Sequence, residues 1–105
     1  MIVCKFGGSS VADSLQIKKV KAILESNNKR SLVVVSAPGK RNSKDEKITD
    51  LLYKCASLTE EGLSFKSEFD KIRDRYFEIA TSLGLETSSL SKALEEIRVN
   101  IENRR

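Results

Sequence analysis

Apolar residues dominate positions 2–6 (IVCKF), with Lys5 the one charge among them, and the run reads as a short strand. Two glycines and two serines follow. A helical pattern then starts near Asp13 or Ser14, either of which can cap it. Leu15, Ile17, Val20, Ile23 and Leu24 recur at spacings that gather them on one broad face, and Asn27 and Asn28 suit a helix stop. Positions 31–36 (SLVVVS) predict a second strand, apolar at successive rather than alternate positions. Alternation would mean one wet face; continuity predicts that both faces are covered, as in a parallel sheet flanked by helices. Strand, helix and strand over this length make a βαβ unit, right-handed by strong preference.

Residues 37–47 (APGKRNSKDEK) form a polar loop that holds the chain's one proline. Beyond it Ile48, Leu51, Leu52, Cys55 and Leu58 fall at i, i+3, i+4, i+7 and i+10, the spacing of a helix face. A longer helix carries Phe65, Phe69, Ile72, Tyr76, Ile79 and Leu83 as a packing stripe, with Gly84 placed to end it. The last helix carries Leu90, Leu94, Ile97 and Ile101, and its closing ENRR sets two arginines where they favour the helix dipole. Two strands and about four helices make an unbalanced whole. Parallel strands that are apolar on both faces need more strands beside them and layers on both sides. A two-stranded sheet of this kind exposes edges and buries little. The expected fold class is therefore α/β, and the expected organisation is the front part of a larger domain.

Composition narrows the class without changing that picture. A chain of 105 residues suffices for one domain and is short for two. Its 39% hydrophobic and 32% charged content is that of a soluble globular protein, with no internal repeat or low-complexity linker. No uninterrupted apolar run is longer than that of residues 32–35, too short to span a membrane. The opening residues lead straight into glycines with no cleavage site, which argues against a signal peptide and makes the cytosol the expected compartment. Absence of histidine excludes His-based zinc sites and Ser-His or Cys-His catalysis within this chain. Cys4 and Cys55 lack any CxxC spacing and are expected to be reduced, buried small hydrophobes. The net charge of +4 comes from 19 basic and 15 acidic residues, interspersed. That balance leans toward anionic ligands and lacks the one-sided basic stripe of a nucleic-acid binder.

The chemistry concentrates where the first strand meets the glycines. Gly7 and Gly8 let backbone N–H groups approach an anion with no Cβ in the way. Lys5 adds a full charge at the C-terminal end of the strand, where open α/β sheets bind ligands. Ser9 and Ser10 can donate from their hydroxyls, and the following helix N-terminus adds partial positive charge, set back by residues 9–12. These features predict phosphate or nucleotide binding. A plain strand-to-helix turn with a solvated lysine explains them equally well, and both readings stand. Neither the P-loop pattern nor the dinucleotide G-x-G-x-x-G is present; Gly39-Lys40 lacks the earlier glycine and precedes Arg41.

The string KFGGSSVAD (5–13) resembles the N-terminal signature of aspartokinases, in the amino acid kinase family. Positions 33–52, VVVSAPGKRNSKDEKITDLL, resemble that family's second strand ending in Ser-Ala, then a loop, then a Thr opening the next helix. The resemblance covers the whole chain. It implies residues 1–105 are the N-terminal portion of an amino acid kinase-like three-layer α/β/α domain, without the family's later nucleotide-binding segments or its regulatory ACT domains. The implied reaction is ATP-dependent phosphorylation of the aspartate side-chain carboxylate, with Mg2+, in lysine, threonine and methionine biosynthesis. By this resemblance Lys5 is catalytic, Lys5, Gly7, Gly8 and Ser9 meet the phosphates, and Ser36, Ala37 and Thr49 face aspartate. No protein-held metal, nucleic acid or membrane is implied; a homo-oligomer is expected for a full-length protein. Without the resemblance, Ser36 reads as a strand-end residue and Thr49 as a first-turn helix residue. Lys40, Arg41, Lys44 and Lys47 read as a solvated loop, with a clamp on substrate carboxylates as the alternative. Two other readings compete: a relative with a different acid substrate, and a non-catalytic, anion-binding product that is inactive alone.

Overall fold

β1 (Ile2–Phe6) and β2 (Arg30–Val35) pair in parallel as a two-stranded sheet, as the two apolar runs predict. Lys5 lies beside Val34 and Phe6 beside Val35, with an irregularity in register between Ile2 and Val3. The structure, a computed structural model, describes residues 1–103. After β1 the chain makes a short 3-10 turn, Gly8–Val11, and then α1 (Ser14–Glu25). Asp13 caps α1: its carboxylate accepts from the Gln16 N–H at 2.9 Å, satisfying one of the donors a helix start leaves over. The Asn27 side chain accepts from the Lys29 N–H at 3.0 Å and turns the chain toward β2, the stop expected of an asparagine here.

The chain forms two compact units, the first Met1–Ile48 and the second beginning at Thr49. α2 (Ile48–Glu60), α3 (Lys66–Ser82) and α4 (Ser88–Glu102) follow β2 in order. α3 ends as predicted: Gly84 takes φ +71°, its N–H donates to the Thr81 carbonyl at 3.0 Å, and Leu85 N–H donates to Ala80 at 2.9 Å. Gly62 does the same for α2 at φ +73°, with Leu63 N–H reaching the Leu58 carbonyl at 2.8 Å. A side chain at either glycine would be strained by the left-handed backbone alone.

Burial falls mainly on the helices. Leu51, Cys55, Phe65, Phe69, Ile72, Ala80 and Leu94 are buried, and the Phe65 and Phe69 rings meet edge to face at 6.2 Å. Each large apolar side chain withdrawn from water contributes about 1.5–3 kcal/mol, so the predicted α3 stripe supplies much of this core. Its C-terminal half, Tyr76, Ile79 and Leu83, is only half-buried.

Several expectations change. Leu32, Val33, Val34 and Val35 are between 40% and 58% exposed, so the covered faces predicted for β2 are open. A run of valines records what a strand can bury, whereas its exposure records what lies against it. The stripe of α1 is covered only in part: Val20 is buried, Ile17 and Leu24 are half-buried, and Leu15 and Ile23 are 60% and 45% exposed. On α4, Leu94 is buried while Ile97 is exposed. Cys4 is half-buried rather than buried, because the sheet it belongs to has open faces. The terminal arginines expected to complement the α4 dipole, residues 104 and 105, lie outside the described residues. Among the described residues no helix is long and apolar enough to cross a membrane.

The two cysteines should therefore differ in chemistry. Burial pushes the Cys55 thiol up, and the charge of Glu68 adds to that, so the reactive thiolate is suppressed. Iodoacetamide at pH 8 should label Cys4 at least tenfold faster than Cys55, which becomes equally reactive in denaturant. Peptide mass spectrometry reads this directly, and equal native rates would contradict the buried placement of Cys55.

Candidate functional site

Parallel pairing brings the C-terminal ends of β1 and β2 to the same edge of the sheet. Lys5, Gly7, Gly8 and Ser9 leave one strand there, and Ser36 and Ala37 leave the other. Two backbone hydrogen bonds join the segments: Ser36 N–H donates to the Phe6 carbonyl at 3.1 Å, and Gly39 N–H donates to the Gly8 carbonyl at 2.9 Å. Six of the seven residues singled out from sequence thus converge within the first unit. Thr49, the seventh, is exposed at the second position of α2 and belongs to the second unit.

The two glycines differ in what they do locally. Gly7 is extended at φ −75°, ψ 175°, a conformation open to any residue, and a Cβ built on it would meet nothing within 4 Å. Neither strain nor crowding asks for glycine at position 7. At Gly8 a Cβ would lie 3.1 Å from the Ala37 carbonyl oxygen and 3.1 Å from the Gly39 nitrogen, so this position is crowded by backbone. Gly8 and Ser9 open the 3-10 turn, where N–H groups have no acceptor inside the turn. Ser10 N–H closes the turn on the Gly7 carbonyl at 3.1 Å. Lys5 is exposed, and its ammonium makes no ion pair or hydrogen bond among the described residues.

One expected contribution falls away. The N-terminus of α1 begins only at Ser14, after the 3-10 turn, and one of its leading donors, the Gln16 N–H, is already taken by the Asp13 carboxylate. The α1 dipole is therefore satisfied by the chain's own anion and lends little to the glycine turn, because such effects fade beyond the first helical turn. Lys5 supplies a full positive charge at this edge.

The loop after β2 is more ordered than its composition suggests. The Arg41 Nε and backbone N–H both donate to Asp45 Oδ2, at 2.7 and 2.9 Å, and the guanidinium reaches Oδ1 at 3.1 Å. Arg41 is thus committed to Asp45, while Lys40, Lys44 and Lys47 are exposed. Ile48 N–H donates to the Pro38 carbonyl at 3.2 Å, fixing the start of α2 to the loop. Gly39, buried against Gly8, escaped the sequence reading; a Pro-Gly pair after a strand announces a turn but not the backbone it will touch.

No protein-family model matches the chain. It is 40% identical over 102 residues to aspartokinase 3 of Bacillus subtilis, an alignment covering 97% of this chain and 22% of that protein. Its structure superposes on the aspartate kinase of Clostridium acetobutylicum with a TM-score of 0.94 at 48% identity, covering 98% of this chain and 24% of the other. Aspartokinase III of E. coli, solved in complex with aspartate and ADP, gives a TM-score of 0.76 at 31% identity and covers 98% of this chain and 22% of its own. The chain thus spans about a fifth of the length of the curated relatives it matches, here 22%. High identity and near-complete superposition across so much of the chain leave one assignment: it belongs to the aspartokinase family, as an α/β segment of such a protein.

Proposed function

We propose that the chain forms the phosphoryl-handling edge of an aspartate kinase, which transfers the γ-phosphoryl group of ATP to the side-chain carboxylate of aspartate. The carboxylate oxygen bonds to the γ-phosphorus, the bond to the β–γ bridging oxygen breaks, and ADP leaves. The substrate carboxylate, with an ordinary pKa of about 3.9, is already ionised at pH 7. No general base is required, in keeping with a site that has no histidine. The difficulty is electrostatic: one anion must approach another, and cationic and backbone donors must offset the repulsion.

The single observation that carries this reading is that Lys5, its ammonium uncommitted among the described residues, and the glycine pair leave β1 at the shared C-terminal edge of two parallel strands. In the proposal Lys5 stabilises charge on the transferring group, and Gly7, Gly8 and Ser9 donate to the phosphates. Ser36 and Ala37 face aspartate. Among the described residues no three carboxylate or cysteine side chains gather to cage a metal. In the proposal Mg2+ arrives on the nucleotide, as it commonly does when bound largely through substrate phosphates.

A chimera tests the proposal. This chain would replace the matching segment of the Clostridium acetobutylicum enzyme, and acyl phosphate would be trapped with hydroxylamine. Aspartate-dependent turnover within about tenfold of the parent is expected; a folded chimera with none would defeat the reading. The 105-residue chain alone should give no trapped product, since it spans only about a fifth of its relatives, and robust turnover by it would show that this segment needs no complement.

A further inference from the structure

We infer that Gly39 is a positioning residue, whose bare backbone locks the Gly7–Gly8 turn in place beneath the phosphoryl group. The inference rests on the function proposed above and extends it to a residue that touches no substrate in that scheme. Gly39 is buried, and its N–H donates to the Gly8 carbonyl at 2.9 Å. A Cβ built on Gly39 would stand 2.8 Å from the Gly8 carbonyl carbon, 3.1 Å from its oxygen and 3.1 Å from the Ser9 nitrogen. All three atoms are backbone, and together they are the Gly8–Ser9 peptide group. Carbon atoms in contact sit at about 3.5–4.0 Å, so a methyl here forces one of the two segments away. No side chain can rotate aside to absorb the overlap.

Contact is reciprocal. A Cβ on Gly8 would meet the Gly39 nitrogen at 3.1 Å and its Cα at 3.2 Å. Two glycines, distant in sequence, thus meet backbone to backbone with one hydrogen bond between them. The Gly39 side of the contact is itself anchored, because Pro38 accepts from the Ile48 N–H at 3.2 Å. The Gly7–Gly8 side has weaker support: its 3-10 turn lacks a side-chain cap. Overlap at Gly39 should therefore be relieved by movement of the Gly8–Ser9 peptide, the group proposed to meet the phosphates. Displacements of about 1 Å at a reacting centre can cost about 100-fold in rate.

The test is Gly39→Ala in the chimera, alone and combined with Lys5→Ala. Gly39→Ala should lower kcat about tenfold, with the KM for aspartate changed less than twofold and the melting temperature within a few degrees. If it acts by misplacing the phosphoryl group relative to Lys5, the two substitutions will not add. In the Lys5→Ala background Gly39→Ala should then cost less than about threefold, the coupling expected of groups acting together. A merely structural glycine would give additive losses or a collapsed melting temperature, and either result overturns the inference. So does an unchanged kcat. Lys5→Ala alone separates the layers: if it is silent the proposed function fails, and if it is damaging while Gly39→Ala is silent only the role of Gly39 fails.

Discussion

Lys5→Ala in the chimera should lower kcat by about 100-fold or more, the scale at which single preorganised electrostatic stabilisers act. Lys5 stands at the penultimate position of β1, beside Val34, exposed and unpaired among the described residues. A charge held there is not consumed by the fold, so it is available to a ligand. If it acts on the transferring phosphoryl group, its effect is larger in the transition state than in either bound substrate. Steady-state kinetics should thus show kcat falling while the KM values for ATP and aspartate move far less. Lys5→Arg should be impaired as well, since a planar fork cannot replace a compact ammonium beside Gly7 and Gly8. A solvated strand-end lysine would leave kcat nearly unchanged in both variants. A change confined to KM would make Lys5 a ground-state binding residue instead.

The second large effect concerns the 105-residue chain on its own. Amides of α3 should exchange with solvent at least about 100-fold more slowly than amides of β2, and thermal unfolding by circular dichroism should be broad. α3 buries Phe69, Ile72 and Ala80, and its carbonyls are closed by the Gly84 turn. Among the described residues β2 pairs with β1 alone, and its four apolar side chains are 40–58% exposed. Local opening free energy follows buried contact and protected hydrogen bonds, so the sheet should open well before the helices. An exposed apolar strand with a free edge also invites association, and low-concentration samples should exchange β2 fastest. A single sharp transition, with uniform protection across sheet and helices, would refute this gradient.

Much of the secondary structure was legible along the chain because the signals were local. The strand at 2–6, the Asp13 cap and the Gly84 stop each depend on residues within a turn of one another. Periodicity located α2, α3 and α4, since a helix repeats its own geometry. The motif at 5–13 likewise pointed to the family, because its lysine and paired glycines fall within four residues of one another. Parallel pairing was legible too: an unbroken valine run predicts it, and β1 and β2 do pair that way.

Only the tertiary structure decided which predicted apolar faces have something to cover them. Val34 and Val35 are as apolar as any core residue, yet they stand exposed because burial belongs to the neighbours and not to the side chain. It also decided that the α1 start is capped by Asp13 and stands apart from the glycine pair by the 3-10 segment. Arg41 looked like one more loop cation until its fork closed on Asp45. Gly39 carried no mark beyond a turn signal, because its meaning lies in a peptide thirty-one residues away, which a Cβ at this position would approach to 2.8 Å. Local chemistry can be read from neighbours in the chain; close approach between distant segments exists only once the chain has folded.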